Sequence, residues 1–331
     1  CGAIYMRLFL LTFLLLLPAS LWAACTGVDL RTTLTDAQRA EIAQRMDGVP
    51  YAEGIYWTAT RGSRTIHVVG TLHMDDPRFD AITDALAPVI QSADHLLVEA
   101  NAESQARLEQ SVATQPDMLF LSDKTLIELM PEDDWNKLAE AARARGIPPF
   151  MAAKFQPWYL SLMLSMSPCT LQSLSQSKNG LDQRVMTLAE DAGVPVSSLE
   201  EPETIFRLFN QDPLEDQIHW LSLGVVPIAA SENASFTLVE QYFDQEVMAA
   251  MELSRVTTRV HFDMPDAEFD ALFDEVMDLI NIQRNLSWIA PIEATSGDQI
   301  VVAAGALHLG GTQGILNLLA AEGYTLERQS F

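Results

Sequence analysis

Two segments of this chain follow one plan, and that plan limits the fold more than any other feature. Residues 67–77, HVVGTLHMDDP, run from an apolar stretch through Gly70 to His73 and a turn. Residues 301–311, VVAAGALHLGG, run the same way through Gly305 to His308. A short apolar run bounded by a turn reads as a buried strand. A glycine three residues before each histidine lets the backbone bend or approach a neighbour closely. The two G-x-L-H units hint at an internal repeat, although a four-residue echo is weak support by itself.

The pattern between and around them predicts an α/β chain. GIYWTATRGSRTIHVVGTLH reads as a hairpin turning at RGSR. DHLLVEA is a buried strand ending at Glu99, and VPVSSLE is a strand ending at Glu200. QIVVAAGALH and YTLERQ close the chain as strands around the helix GILNLLAAEG. Helical spacing appears in TDAQRAEIAQRMDG, at 79–91 behind Asp76-Pro77, at 103–113, at 132–145, in QPWYLSLMLSM and in GLDQRVMTLAEDAG. Long helices are expected over SFTLVEQYFDQEVMAAMELS and from Asp270 to Ala290. Strands alternating with helices imply a central sheet. That sheet is built on the two strand-G-x-x-H units, and the helical middle, about 103–290, forms an insertion or cap.

Residues 6–24, MRLFLLTFLLLLPASLWAA, read as a secretory signal with Arg7 as its short basic region. Residues 1–5 precede the first methionine and look like a start-site artefact. The remainder, 25–331, reads as a single domain with no membrane span and a periplasmic or secreted location. Lipid anchoring at Cys25 is the weaker alternative, because Trp22 stands where a small aliphatic residue is needed. Past the leader, Cys25 and Cys169 remain, and in an oxidising compartment a disulfide between them is the default. The formal charge is −25. Nucleic acids and anionic membranes need a basic footprint, so neither is an expected partner.

In open α/β sheets, ligands bind beyond the carboxyl ends of the strands. His73, Glu99, Glu200 and His308 stand at such ends. Two neutral imidazoles with one or two carboxylates are a donor set that suits a divalent metal. A lone histidine at a strand end is more often a hydrogen-bonded structural residue; two in one context make the odds about even. His67 and His95 lie inside strands and read as packing residues. Gly310, Gly311 and Gly314 read as an ordinary strand-to-helix turn rather than an anion cradle. The chain has no H-E-x-x-H, C-x-x-C, P-loop or G-x-S-x-G motif.

Taken together, GTLH at 70–73, LLVEA at 96–100, QPW at 156–158, GLD at 180–182, SLE at 198–200, RN at 284–285 and GALHLGGTQGILNLLAAEGY at 305–324 resemble the TraB/GumN family. That family includes the Tiki-type metalloproteases. The resemblance spans about Gly54 to Gln329. It implies a divalent-metal-dependent peptidase, with manganese or cobalt favoured and zinc an option, acting on a peptide or protein. It makes His73 and His308 metal ligands and Glu99 a ligand or general base. Arg284 and Asn285 would project from a helix toward the site, Arg284 to neutralise charge, and Glu200 and Asp182 would assist. Gln156 departs from the lysine expected before that proline, so any role for its charge is absent. The rival readings are a non-catalytic protein that captures peptide, metal or haem in the same cleft, and a structural protein whose histidines only pack.

Overall fold

The computed structural model describes residues 25–176, 180–201 and 203–331, so the expected leader lies outside the described residues. Six strands form one sheet: β1 (Tyr56–Arg61), β2 (Arg64–Thr71), β3 (His95–Val98), β4 (Val196–Ser198), β5 (Gln299–Gly305) and β6 (Thr325–Arg328). Their order is β4-β3-β5-β2-β1-β6. β4, β3, β5 and β2 are mutually parallel. β1 joins them through the antiparallel hairpin with β2 and carries β6 on its outer side. The hairpin turns at Gly62, whose φ of 65° falls in the left-handed region that glycine occupies without strain.

Alternation along the central strands explains the layers. Ile66 and Val68 of β2, Leu97 of β3, and Ile300, Val302 and Ala304 of β5 face one side. There they meet Trp288 and Ile292 of helix Gln283–Ala294 and Ile315, Leu316 and Leu319 of helix Ile315–Ala321. Val69, Leu96, Val98, Val301 and Ala303 face the other side. They meet Phe79, Leu86 and Ile90 of helix Phe79–Gln91 and Leu181, Val185 and Ala189 of helix Leu181–Ala192. Successive side chains of a strand point to opposite faces, so a strand covered on both sides must be apolar throughout. The run IVVAA in β5 meets that demand.

The helical middle has a core of its own. Leu126, Trp135, Leu138, Phe155, Leu160 and Leu221 pack together away from the sheet. Gln156 is built into this part: its amide donates to the carbonyls of Asp117 and Phe120. A disulfide joins Cys25 to Cys169, tying the start of the described chain to helix Pro168–Gln176. No described helix is long and apolar enough to cross a membrane.

One helix cap and two long helices differ from the sequence expectation. Helix Phe79–Gln91 has the expected bounds, but Asp76 does not cap it and instead accepts from the backbone and side chain of Arg78. The expected long helix over 235–254 is two helices, Ile228–Phe243 and Val247–Thr258, broken at Gln245 with a φ of 63°. The expected helix from Asp270 is likewise two, Asp266–Met277 and Gln283–Ala294, joined by a π-helical turn over Asp278–Ile282.

Candidate active site

Because β2, β3, β4 and β5 are parallel, their carboxyl ends meet along one edge of the sheet. His73 follows β2, Glu99 follows β3, Glu200 follows β4, and His308 closes the 3₁₀ turn Ala306–His308 after β5. The glycines bring these ends into contact. Glu99 Oε1 accepts the Gly305 N–H at 2.6 Å. A Cβ on Gly305 would lie 3.2 Å from that oxygen, so a side chain there would press on the carboxylate. A Cβ on Gly70 would lie 3.0 Å from Ala306, which shows how closely the two G-x-x-H turns pack. The Gly70 carbonyl accepts from the buried Tyr242 hydroxyl at 2.8 Å.

The GLD segment docks on the first turn. Leu181 N–H donates to Leu72 C=O at 3.0 Å, and a Cβ on Gly180 would sit 2.6 Å from the His73 carbonyl oxygen. This contact delivers Asp182, whose Oδ1 lies 3.2 Å from His73 Nδ1. That oxygen is buried and has no aligned hydrogen-bond donor among the described residues. The contact is therefore an ion pair more than a well-directed hydrogen bond.

Arg284 occupies the centre. Its Nη2 donates to Glu99 Oε2 at 2.5 Å and to Glu200 Oε1 at 2.7 Å. Nε donates to Glu200 Oε2 at 3.0 Å, and Nη1 donates to Ile280 C=O at 3.0 Å. Nη1 also lies 3.2 Å from His308 Nε2. Trp288 Nε1–H supplies a further donor to Glu200 at 3.2 Å. The next residue, Asn285, fixes the histidine. Its Nδ2 donates to Asn281 Oδ1 at 2.9 Å and to Gln313 C=O at 3.0 Å. The amide oxygen is then the atom that meets His308 Nδ1, at 2.6 Å. His308 therefore carries its proton on Nδ1 and presents a bare Nε2 lone pair, which the guanidinium also requires. That Nε2 is 3.9 Å from Glu99 Oε1.

The electrostatics follow from this packing. Burial disfavours the cation of His308 and brings its pKa down to about 4, with Arg284 and His73 acting in the same direction. The neighbouring Asp182 carboxylate raises His73 to about 9, against the opposing effect of burial. Burial also opposes ionisation of Glu99. The positive charges of His308 when protonated, Arg284 and His73, with the Gly305 N–H, outweigh it and hold the carboxyl at about 2. His73, Glu99, Asp182, Glu200 and Arg284 border a cavity of about 290 Å³ whose other wall is apolar, including Val98, Leu108, Met186 and Phe206.

The structure thus brings Glu99, Glu200, Arg284, Asn285 and His308 into one hydrogen-bonded cluster. His73 and Asp182 form a second pair across Glu99, on the same cavity. Among the described residues, no three or more His, Cys, Asp or Glu side chains are placed to hold a metal ion as they stand. The guanidinium lies between the carboxylates instead. Sequence reasoning missed Asn281, which anchors Asn285 and also donates to Leu307 C=O at 2.9 Å. Asn281 lies in the π-helical turn, a feature frequent at functional sites, but no local residue pattern announces it. His67 and His95 pack as expected, against the Tyr56 hydroxyl and the Ser197 hydroxyl.

A mostly parallel sheet with two glycine–histidine turns meeting over a buried arginine defines an open α/β protein with its site at a strand-end edge. Residues 55–328 match the TraB/PrgY/gumN family, and the chain belongs to that family. It is also similar to an uncharacterised protein, YbaP, of Escherichia coli K12. The two are 24% identical over 265 residues, covering 78% of this chain and 89% of the relative. The YbaP protein of Shigella flexneri gives the same identity and coverage.

Proposed function

We propose that the cavity is the active site of a periplasmic or secreted divalent-metal-dependent hydrolase that cleaves peptide bonds. The observation that carries this reading is the state of His308. Asn285 engages its Nδ1, leaving a neutral Nε2 facing Glu99. Metal-ligating histidines are held in this way, with the second ring nitrogen hydrogen-bonded to an oxygen. Nδ1 of His73 likewise faces an oxygen, that of Asp182. Imidazole and carboxylate donors suit manganese, cobalt or zinc. His308, Glu99 and His73 are the residues that would hold the ion, and Arg284 must release both Glu99 and His308 Nε2 for them to do so.

Such an ion supplies Lewis acidity to a carbonyl group. The chain's own residues supply the rest. Glu200 is a carboxylate within the same cluster and would take a proton from the attacking water. Arg284 offers planar, permanently charged donors for developing negative charge. The apolar wall excludes water from one side of the cavity. The disulfide fits an oxidising compartment.

A second reading has an observation of its own. Arg284 already balances Glu99 and Glu200 without a metal, as a site built for binding rather than turnover would. One experiment separates the two. Purified protein is incubated with a peptide mixture and manganese, cobalt or zinc, and products are read by mass spectrometry. Cleavage should require a metal and vanish in His308→Ala with the fold intact by circular dichroism. Equal cleavage by that variant, or none with any of the three ions, rejects the hydrolase.

A further inference from the structure

β4 is the outermost strand on its side of the sheet. Its ladder with β3 fixes which of its backbone groups are spare. Leu96 N–H donates to Pro195 C=O, and Leu199 N–H donates to Val98 C=O. Ser197 lies between these bonds, opposite Leu97. In a parallel pair, that placement turns both polar groups of Ser197 toward β3 and those of Val196 and Ser198 outward. Val196 C=O accepts from Asn101 Nδ2 at 3.2 Å. Val196 N–H and both main-chain groups of Ser198 have no hydrogen-bond partner among the described residues.

A cavity of about 420 Å³ opens along this edge. The strand forms one wall, Asn101, Ser104 and Arg107 the other, and Pro291 borders it. The hydroxyls of Ser104 and Ser198, 2.7 Å apart, join the walls at one end. Glu200 and Glu201 border both this cavity and the candidate active site, so the two are neighbours. Proteins usually blunt an exposed edge with a covering loop or a charge on the strand. Here the spare groups face a groove. The rim of the groove is acidic: Glu103 and Glu201 line it with Arg107, whose contact with Glu103 is 3.9 Å long, while the Glu200 carboxylate is already paired with Arg284.

We propose that this edge is a docking site for an extended peptide with cationic side chains, which adds to the sheet as a strand beside β4. Main-chain hydrogen bonds to Val196 and Ser198 hold the peptide, and the acidic rim selects its charge. The site deepens the hydrolase reading and rests on it, since a peptide lying along β4 continues past Glu200 into the reaction cavity.

The test uses a ten-residue peptide of alternating lysine and valine, and the same peptide N-methylated at alternate residues on its edge-facing side. Binding to His308→Ala is followed by hydrogen–deuterium exchange and by titration. The plain peptide should slow exchange at Val196 and Ser198, and N-methylation should weaken binding about tenfold, as expected for losing one or two hydrogen bonds. Val196→Pro removes one outward N–H, breaks no bond of the fold, and should weaken binding about fivefold. Equal affinity for the two peptides, binding without protection at 196–198, or no binding overturns the site. Protection at the edge with no cleavage by the wild-type protein under any of the three metals rejects the hydrolase alone. Cleavage without protection at the edge rejects the docking site alone.

Discussion

Replacing Arg284 by methionine removes the cation at the centre of the cluster and keeps the length of its apolar stem. Arg284 is only 7% exposed, and the side chains of Glu99 and Glu200 are 19% and 11% exposed. Removing one partner of a buried pair costs about 3–5 kcal/mol, because the remaining charge is left without compensation. The residual exposure of Glu99 places the expected loss near the lower figure, about 3 kcal/mol at pH 8. The loss should depend on pH. In the wild type the folded pKa of Glu99 is about 2, below that of an unfolded glutamate. Its contribution is therefore complete above the unfolded value and disappears as pH falls through 2. Without Arg284, burial dominates and the folded pKa rises above the unfolded one. The carboxyl then stabilises only when protonated, and this contribution is lost as pH rises through the new value. Urea unfolding followed by tryptophan fluorescence at pH 5 and pH 8 reads the difference. The deficit should be about half as large at pH 5 as at pH 8. A deficit below about 1 kcal/mol at pH 8, or one unchanged between the two pH values, refutes the central placement of the guanidinium.

Asp182→Asn should lower the pKa of His73 from about 9 toward the ordinary histidine value, read from its ring resonances in an NMR titration. Stability from the pair is fully present below the unfolded histidine pKa and lost as pH rises through about 9, so the gap between wild type and variant should close above that pH. The double variant Cys25→Ser/Cys169→Ser opens a link spanning 144 residues and should lose about 2–4 kcal/mol in urea unfolding. Gly180→Ala places a methyl against the His73 carbonyl and should cost about 1–3 kcal/mol, seen as a lower Tm with the sheet intact.

The strand-end residues were legible because a parallel strand buried on both faces has to be apolar until it stops. The ends of the apolar runs thus mark His73, Glu99 and His308 as rim positions, Glu200 comes soon after the half-buried VSS, and the parallel register brings all four together. The glycines were legible as places of close approach, though which backbone approaches depends on tertiary packing. Asp182 could be assigned only an assisting role, because its meeting with His73 spans more than a hundred residues of chain. The capture of Glu99 and Glu200 by one guanidinium had no local signal at all. The helix breaks at Gln245 and at Asp278–Ile282 were hidden for a different reason: residues on both sides favour helix, and tertiary contacts alone decide where the ladder is interrupted. Asn281 follows from that interruption.

Charge balance connects these features to the proposed chemistry. Three carboxylates, Glu99, Glu200 and Asp182, face two cations, Arg284 and His73, while His308 stays neutral. The cluster is therefore one charge negative. A divalent ion added with no other change would leave it one charge positive, beside the buried Arg284, where net charge is penalised. Loss of the His73 proton on metal uptake would bring it to neutrality, and a neutral imidazole is the form that ligates metals. His308 needs no such change, because Asn285 and burial already keep its Nε2 bare. The two G-x-x-H histidines, alike in sequence, are thus unlike in charge. Under the proposed chemistry, His308 would bind a cation once Arg284 released its Nε2, whereas His73, held protonated by Asp182, would have a reason to give up its proton only when a cation arrived.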